Sequence, residues 1–258
     1  MLLLFSLLIA VLINITLFFI AYARQSDKLT DFSYALSFIV VVVSAYGLSA
    51  ERSLQLGIVT LLVVAWALRL GIFLVYRIRK IGKDARFDDI RSDFFKFLKF
   101  WVGQAFVAWL LLLPVLFLAG HQSTIGIVFY VGISVWAIGL AIESLADLQK
   151  YRFINNPANK GKWIDQGLWH YSRHPNYFGE ICIWIGIYIA TVGALSPWER
   201  ALALVSPIAI FITLRFVSGV PLLEKSADKK WGDDPEYIAY RKSTSLLIPW
   251  FKKRRGSR

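Results

Sequence analysis

The chain is poor in the residues that most often build soluble metal or redox sites. Its one cysteine, Cys182, makes no internal disulfide and no metal site by itself. It lies in an apolar segment and reads as a small core residue. The three histidines, His121, His170 and His174, are too few and too scattered for a metal cluster, so no metal is expected. There is no P-loop and no GxGxxG pattern. No internal repeat and no low-complexity linker divides the chain, so a single domain is expected. Acidic residues are scarce beside basic ones, 17 against 29, which leaves a formal net charge of +12.

What the chain has in abundance is apolar length. Hydrophobic residues make up 57% of it and the mean hydropathy is +0.56, too apolar for a soluble domain of 258 residues. The apolar residues come in runs of roughly 17–23, enough to cross a hydrocarbon core of about 30 Å. Such runs are too long and uniform for barrel strands, so the spans are helices. Seven are expected, over residues 2–22, 32–50, 54–76, 100–119, 125–146, 178–195 and 200–218. The first is read as a retained span: Ala21-Tyr22-Ala23 resembles a cleavage site, but no basic residue precedes the run.

The basic residues sort by side. The connections 24–28, 77–99 and 147–177 and the tail from 219 hold 25 of the 29 Lys and Arg, while the alternate loops carry only Arg52 and Arg200. This asymmetry predicts the basic side in the cytoplasm, the N-terminus outside and the C-terminus inside. The charge is therefore an orientation signal and a contact for anionic lipid headgroups or a phosphorylated cofactor, and not a nucleic-acid footprint. Arg69 and Arg215, within spans, read as snorkelling or helix-bonding residues.

The densest chemistry lies in residues 167–180, Gly-Leu-Trp-His-Tyr-Ser-Arg-His-Pro-Asn-Tyr-Phe-Gly-Glu. Arg173, His174, Asn176, Tyr177 and Glu180 crowd the mouth of an expected span. Polar groups there need partners, which a bound ligand can supply. Glu143 and Asp147 are spaced i, i+4 at the end of the fifth span and share one helix face. Two readings stand for them: an interior polar site, or solvated helix-end acids; Gln149, Lys150, Tyr151 and Arg152 follow at once. Asp31 has two readings as well. It is a first-turn acid behind a Thr30 cap, or, with Tyr34 one turn further on, a pair that polarises a substrate carbonyl. Residues 234–242 read as a short helix in which Tyr237, Tyr240 and Arg241 would stack an adenine and hold phosphates, or form an ordinary interfacial helix.

Several of these motifs occur together and in order: Glu143 and Asp147 with Gln149-Lys150, then GLWHYSRHPNYFGE, then Ser218-Gly219 with PLLEK, and Tyr240-Arg241-Lys242 before Ile248-Pro249-Trp250. On them, over roughly residues 60–250, the chain resembles the steroid 5α-reductase C-terminal superfamily, in a DUF1295-like bacterial branch. The resemblance implies an all-α integral membrane reductase with seven spans and its cofactor site at the cytoplasmic mouth. NADPH would deliver a hydride to a carbon–carbon double bond conjugated with a carbonyl in a steroid-like or isoprenoid lipid. Residues 1–60 would shape the substrate cavity and residues 61–258 would bind the cofactor.

By that resemblance Asp147, Tyr171, Asn176, Glu180 and Arg241 fall on cofactor-site positions, and Arg173, His174 and Tyr177 adjoin them. Lys150 and Arg152 would hold phosphates, with Glu224, Tyr237 and Tyr240 completing the site. Asp31, Tyr34 and Glu180 are the catalytic candidates. The departures are Thr30-Asp31 in place of a Gln-Glu pair, Trp66 in place of a substrate-side tyrosine, and Glu224 in place of a histidine. The same architecture and an Arg-His-Pro-x-Tyr motif occur in membrane methyltransferases that use S-adenosylmethionine, and Glu224, Gly232, Tyr237 and Tyr240 fit their pattern loosely. A non-catalytic lipid-binding protein is the third reading. The expected setting is the bacterial inner membrane, with membrane lipids and a lipid-soluble substrate as partners and a monomeric chain.

Overall fold

The computed structural model describes residues 1–81 and 87–252. Lys83 and Arg86 of the basic 77–99 loop, and Lys253, Arg254, Arg255 and Arg258 of the basic tail, lie outside them. Among the described residues the chain is helical without a strand. The long helices are α1 (Leu2–Ala23), α2 (Thr30–Leu48), α3 (Leu54–Ile81), α4 (Phe94–Leu118) and α5 (Ile127–Asn155). A single turn, α6 (Leu168–Tyr171), precedes α7 (Pro175–Val192). The chain continues through α8 (Pro197–Ala203), α9 (Val205–Ile212), a π-turn (Thr213–Val217), α10 (Val220–Trp231) and α11 (Pro235–Ser243).

Among the described residues six stretches are long and apolar enough to cross a membrane: Leu2–Ala23, Thr30–Leu48, Leu54–Lys80, Phe94–Leu118, Ile127–Asn155 and Pro197–Trp231. They are helical because a backbone in lipid must satisfy its own hydrogen bonds. The expected span at 178–195 falls on α7, which is 18 residues long and not one of the six. Asn176, Tyr177 and Glu180 in its opening turns dilute its apolar run. The expected span at 200–218 is segmented into α8, α9 and the π-turn. Pro207 lies at the start of α9, where a missing N–H interrupts the ladder.

The chain divides into two compact units. The first comprises Met1–Val131 with Ile187–Ala209. Within it α1 packs on α2 and α4, and α2 packs on α3 and α4. Phe18, wholly buried, sits among the rings of Tyr22, Phe94, Phe97 and Trp101. The spans are also joined by polar side chains. The Asn14 amide donates to the Ser37 hydroxyl at 2.8 Å, and its carbonyl accepts from Gln104 at 3.0 Å. Such bonds between helices hold where no hydrophobic drive acts between them.

Thr30 does not cap α2. Leu29 occupies the cap, and the Thr30 hydroxyl donates back to the Asp27 carbonyl at 2.7 Å. Asp27 itself is buried and meets Arg91 at 2.7 Å, while Arg91 also reaches Asp88 at 3.0 Å. This clasp ties the turn before α2 to the approach to α4. Asp27→Ala should destabilise the protein by about 2 kcal/mol, below the usual cost of breaking a buried pair because Asp88 still holds the guanidinium. Thermal melts of the detergent-purified variant check this, and an unchanged midpoint would refute the clasp.

The second unit comprises Gly132–Gly186 and Ile210–Arg258. Its frame is a close crossing of α5 and α7 at glycines. A Cβ at Gly179 would lie 2.6 Å from the Glu143 nitrogen and 2.7 Å from the Gly139 oxygen. At Gly186 a Cβ would lie 2.5 Å from the Trp136 nitrogen. Small residues let helix backbones approach this closely. Ala146, Ile164 and Trp169 form a small core beside the end of α5.

Candidate functional site

The candidate residues of the second unit gather where α5 ends and α7 begins. Gly167 starts α6 with φ +61, and its bare Cα accommodates Gln149, whose side-chain atoms would lie 2.6–2.7 Å from any Cβ. That closeness lets Gln149 accept from the Leu168 N–H at 2.9 Å. Trp169 is buried and donates its indole N–H to the Ala146 carbonyl at 3.0 Å. Lys150 lies over the Trp169 ring at 4.7 Å. Arg152, two residues further along α5, is exposed.

The segment after α6 is fastened by the C-terminal stretch. Ser172 and Ser245 form an isolated bridge, and the Arg173 N–H donates to the Ser245 carbonyl at 2.9 Å. The Ser172 hydroxyl donates to the Leu247 carbonyl at 2.7 Å, and Trp250 N–H donates to the Tyr171 carbonyl at 3.1 Å. Arg173 and His174 are thus presented at the head of α7.

Glu224, on α10, is the hub. One oxygen accepts from Arg173, the other from His174 Nε2 at 2.8 Å, and Arg241 on α11 approaches at 3.7 Å. Arg241 is held in turn by Asp228 at 2.6 Å. Tyr177 stacks on the His174 ring at 5.6 Å, nearly parallel. Asn176 donates to Asp147 at 3.2 Å, so the carboxamide oxygen of Asn176 faces elsewhere. Glu143, Asp147 and Glu180 are all buried.

Three polar atoms of this cluster are buried without a hydrogen-bond partner among the described residues: Arg173 Nε, His174 Nδ1 and Asn176 Oδ1. One is a donor and two are acceptors. A buried polar atom left unpaired costs about 1–3 kcal/mol, so three within residues 173–176 make this cluster the candidate ligand site.

The imidazole of His174 is pushed below its ordinary pKa of 6.5, chiefly by burial, with the Glu224 hydrogen bond opposing. It is therefore neutral at pH 7. Because the Glu224 carboxylate can only accept, the ring proton sits on Nε2 and Nδ1 carries a lone pair. The folded state binds this proton less readily than the unfolded chain. The contribution to stability is present at and above pH 6.5 and is lost as pH falls from 6.5 toward the depressed value. His174→Gln should flatten the melting temperature's dependence on pH in that window, read by melts between pH 5 and 7.5.

The tail candidates are placed differently from one another. Tyr237 is buried against Trp163, Trp231 and Tyr240, and the Tyr240 hydroxyl donates to the Trp169 carbonyl at 2.9 Å. Burial raises the pKa of both phenols. Tyr171 is 40% exposed, its ring near Phe251. Asp31 and Tyr34 belong to the first unit. Asp31 pairs with Arg77 of α3 at 3.4 Å, and the Tyr34 ring meets Phe38 edge-on at 4.9 Å.

Sequence reasoning missed Asp228, Trp169 as the platform under Lys150, and the glycine crossing. The signal for the last was present: Gly132 and Gly139, and Gly179 and Gly186, each recur seven residues apart. Among the described residues no group of His, Cys, Asp and Glu is arranged to hold a metal.

Six helical stretches of membrane length and apolarity among the described residues mark a multi-pass membrane protein. The chain belongs to the family described as "Protein of unknown function (DUF1295)", whose profile matches residues 17–244. This is the steroid 5α-reductase-like family of the resemblance drawn from the motifs. Over 120 residues, 43% of this chain, it is 30% identical to the probable O-methyltransferase ustE of Ustilaginoidea virens. That match spans 37% of the fungal protein's length. No solved structure matches the chain.

Proposed function

We propose that this protein is a membrane oxidoreductase that reduces a carbon–carbon double bond conjugated to a carbonyl in a steroid-like or isoprenoid lipid, with NADPH bound at the cluster around Glu224. The carrying observation is the trio of unpartnered buried atoms, Arg173 Nε, His174 Nδ1 and Asn176 Oδ1, in a cluster rich in cations. A donor beside two acceptors suits an amide edge, and the Lys and Arg groups nearby suit phosphates. When bound, the dinucleotide would supply the hydride.

The chain's own residues would hold and orient it. Lys150 and Arg152, at the end of α5, would meet phosphate oxygens. Arg241, fixed by Asp228 and 3.7 Å from Glu224, would do so from α11. Asp147 orients the Asn176 amide. The charge asymmetry of the connections supports entry of the cofactor from the cytoplasm. A second reading is favoured by the relative named a probable O-methyltransferase: S-adenosylmethionine would then occupy the same cluster.

Titrating the detergent-purified protein separately with NADPH and S-adenosylmethionine decides between them. Saturable NADPH binding, weakened on the order of tenfold in Arg241→Ala, is expected. Binding of S-adenosylmethionine alone would replace the reductase reading with the methyltransferase one. Binding of neither by a folded protein would leave a lipid-binding role.

A further inference from the structure

The three unpartnered atoms define the recognition chemistry more narrowly than a cofactor class does. His174 is 4% exposed, so its Nδ1 is closed to bulk water, and it is not free to exchange roles. Glu224 takes the proton on Nε2 at 2.8 Å. Glu224 is itself fixed from two further sides by Arg173 and Arg241. Tyr177 lies nearly parallel to the ring, with centroids 5.6 Å apart, and sets its plane, while the Glu224 bond sets which nitrogen faces inward. Asn176 is fixed in the same sense: its NH2 donates to Asp147, which leaves the oxygen as acceptor. Two acceptors of set polarity, two positions apart in the chain, cannot satisfy one another. With Arg173 Nε–H they match a planar edge bearing an amino group next to an acceptor atom, as in a primary carboxamide or an aminopyrimidine ring.

We infer that His174 is a ligand-reading residue positioned by Glu224: His174 Nδ1 and Asn176 Oδ1 receive the amino group of such an edge, while Arg173 Nε donates to its acceptor atom. This rests on reading the cluster as a cofactor site, and it deepens that reading by naming the edge that is read. Glu224 is the positioning residue. It acts through the tautomer of His174, which a purely structural carboxylate would not need to control.

The test uses the full-length protein in detergent with 15N-labelled histidine. At pH 7 the His174 signals should show a protonated Nε2 and a bare Nδ1. Glu224→Gln keeps the volume but can donate from its amide, and should shift His174 toward the Nδ1-protonated form. Four probes are then titrated: NADPH, its analogue with carboxylate in place of carboxamide, S-adenosylmethionine, and its analogue with hypoxanthine in place of adenine.

NADPH should move the Nδ1 resonance, bind at least tenfold more tightly than its carboxylate analogue, and weaken about tenfold in Glu224→Gln. If only S-adenosylmethionine moves that resonance, and the hypoxanthine analogue binds tenfold more weakly, the inference stands with an adenine edge while the reductase reading falls. If NADPH and its carboxylate analogue bind equally and Nδ1 does not move, the inference is overturned and the reductase reading survives. If no probe binds the folded protein, both are overturned.

Discussion

Glu224→Ala should lower the stability of the protein by about 3–4 kcal/mol, the cost typical of removing one partner from a buried charge cluster. The reason is what remains behind. Arg173 and His174 have side chains only 14% and 5% exposed, and both point at the carboxylate. Without it a guanidinium and a ring N–H are left in a poorly hydrated place, and Arg241 keeps only Asp228. For a chain of this size that corresponds to a fall in Tm on the order of 10 °C. Glu224→Gln should cost less, because one oxygen still accepts. Equal melting temperatures for wild type and Glu224→Ala would show that the hub is not formed. If the proposed cofactor site is right, addition of NADPH should stabilise the wild type and leave the alanine variant's Tm unmoved.

Gly179→Val should be comparably severe for a different reason. The clash falls on backbone, with the Glu143 nitrogen at 2.6 Å and the Gly139 oxygen at 2.7 Å from the first added carbon. No rotamer relieves it, so α5 and α7 must separate. Overpacking of this kind costs about 3 kcal/mol or more. Separation would also move Asp147 from Asn176, since one sits on each helix. Gly103→Ala is the control: nothing lies within 4 Å of its added carbon, and a helical glycine replaced there should be neutral or slightly stabilising. If Gly179→Val melts like the control, the close crossing is wrong.

The helices were legible because lipid imposes a simple rule on sequence: long apolar runs with turn residues and charge between them. α1 to α5 follow that rule closely. The rule weakens where polar residues and proline interrupt the apolar runs. The start of α7 carries Pro175, Asn176, Tyr177 and Glu180, and the region after residue 197 carries Pro207, so neither reads as a clean span.

The polar cluster was legible as a composition, Arg173 to Glu180 in one short stretch, but its wiring was not. Glu224 lies 50 residues from His174, and nothing in the local pattern says that one carboxylate serves Arg173, His174 and Arg241 together. Thr30 shows the opposite failure. A threonine before an apolar run fits a cap, yet a backbone carbonyl three residues back offered its hydroxyl a better partner.

The bridge between Ser172 and the stretch after α11 sets an order of events in synthesis. Ser172 and its acceptor on Leu247 are separated by 75 positions. At a translation rate of about 5–20 residues per second, the head of α7 waits roughly 4–15 s after it is made before its strap exists. For about the first two thirds of that interval Arg173 and His174 have neither the strap nor Glu224, which is made 50 positions after His174. The apolar spans and Glu224 are thus made before the strap, so a chain arrested before Ser245 would carry its spans but leave the head of α7 unfastened.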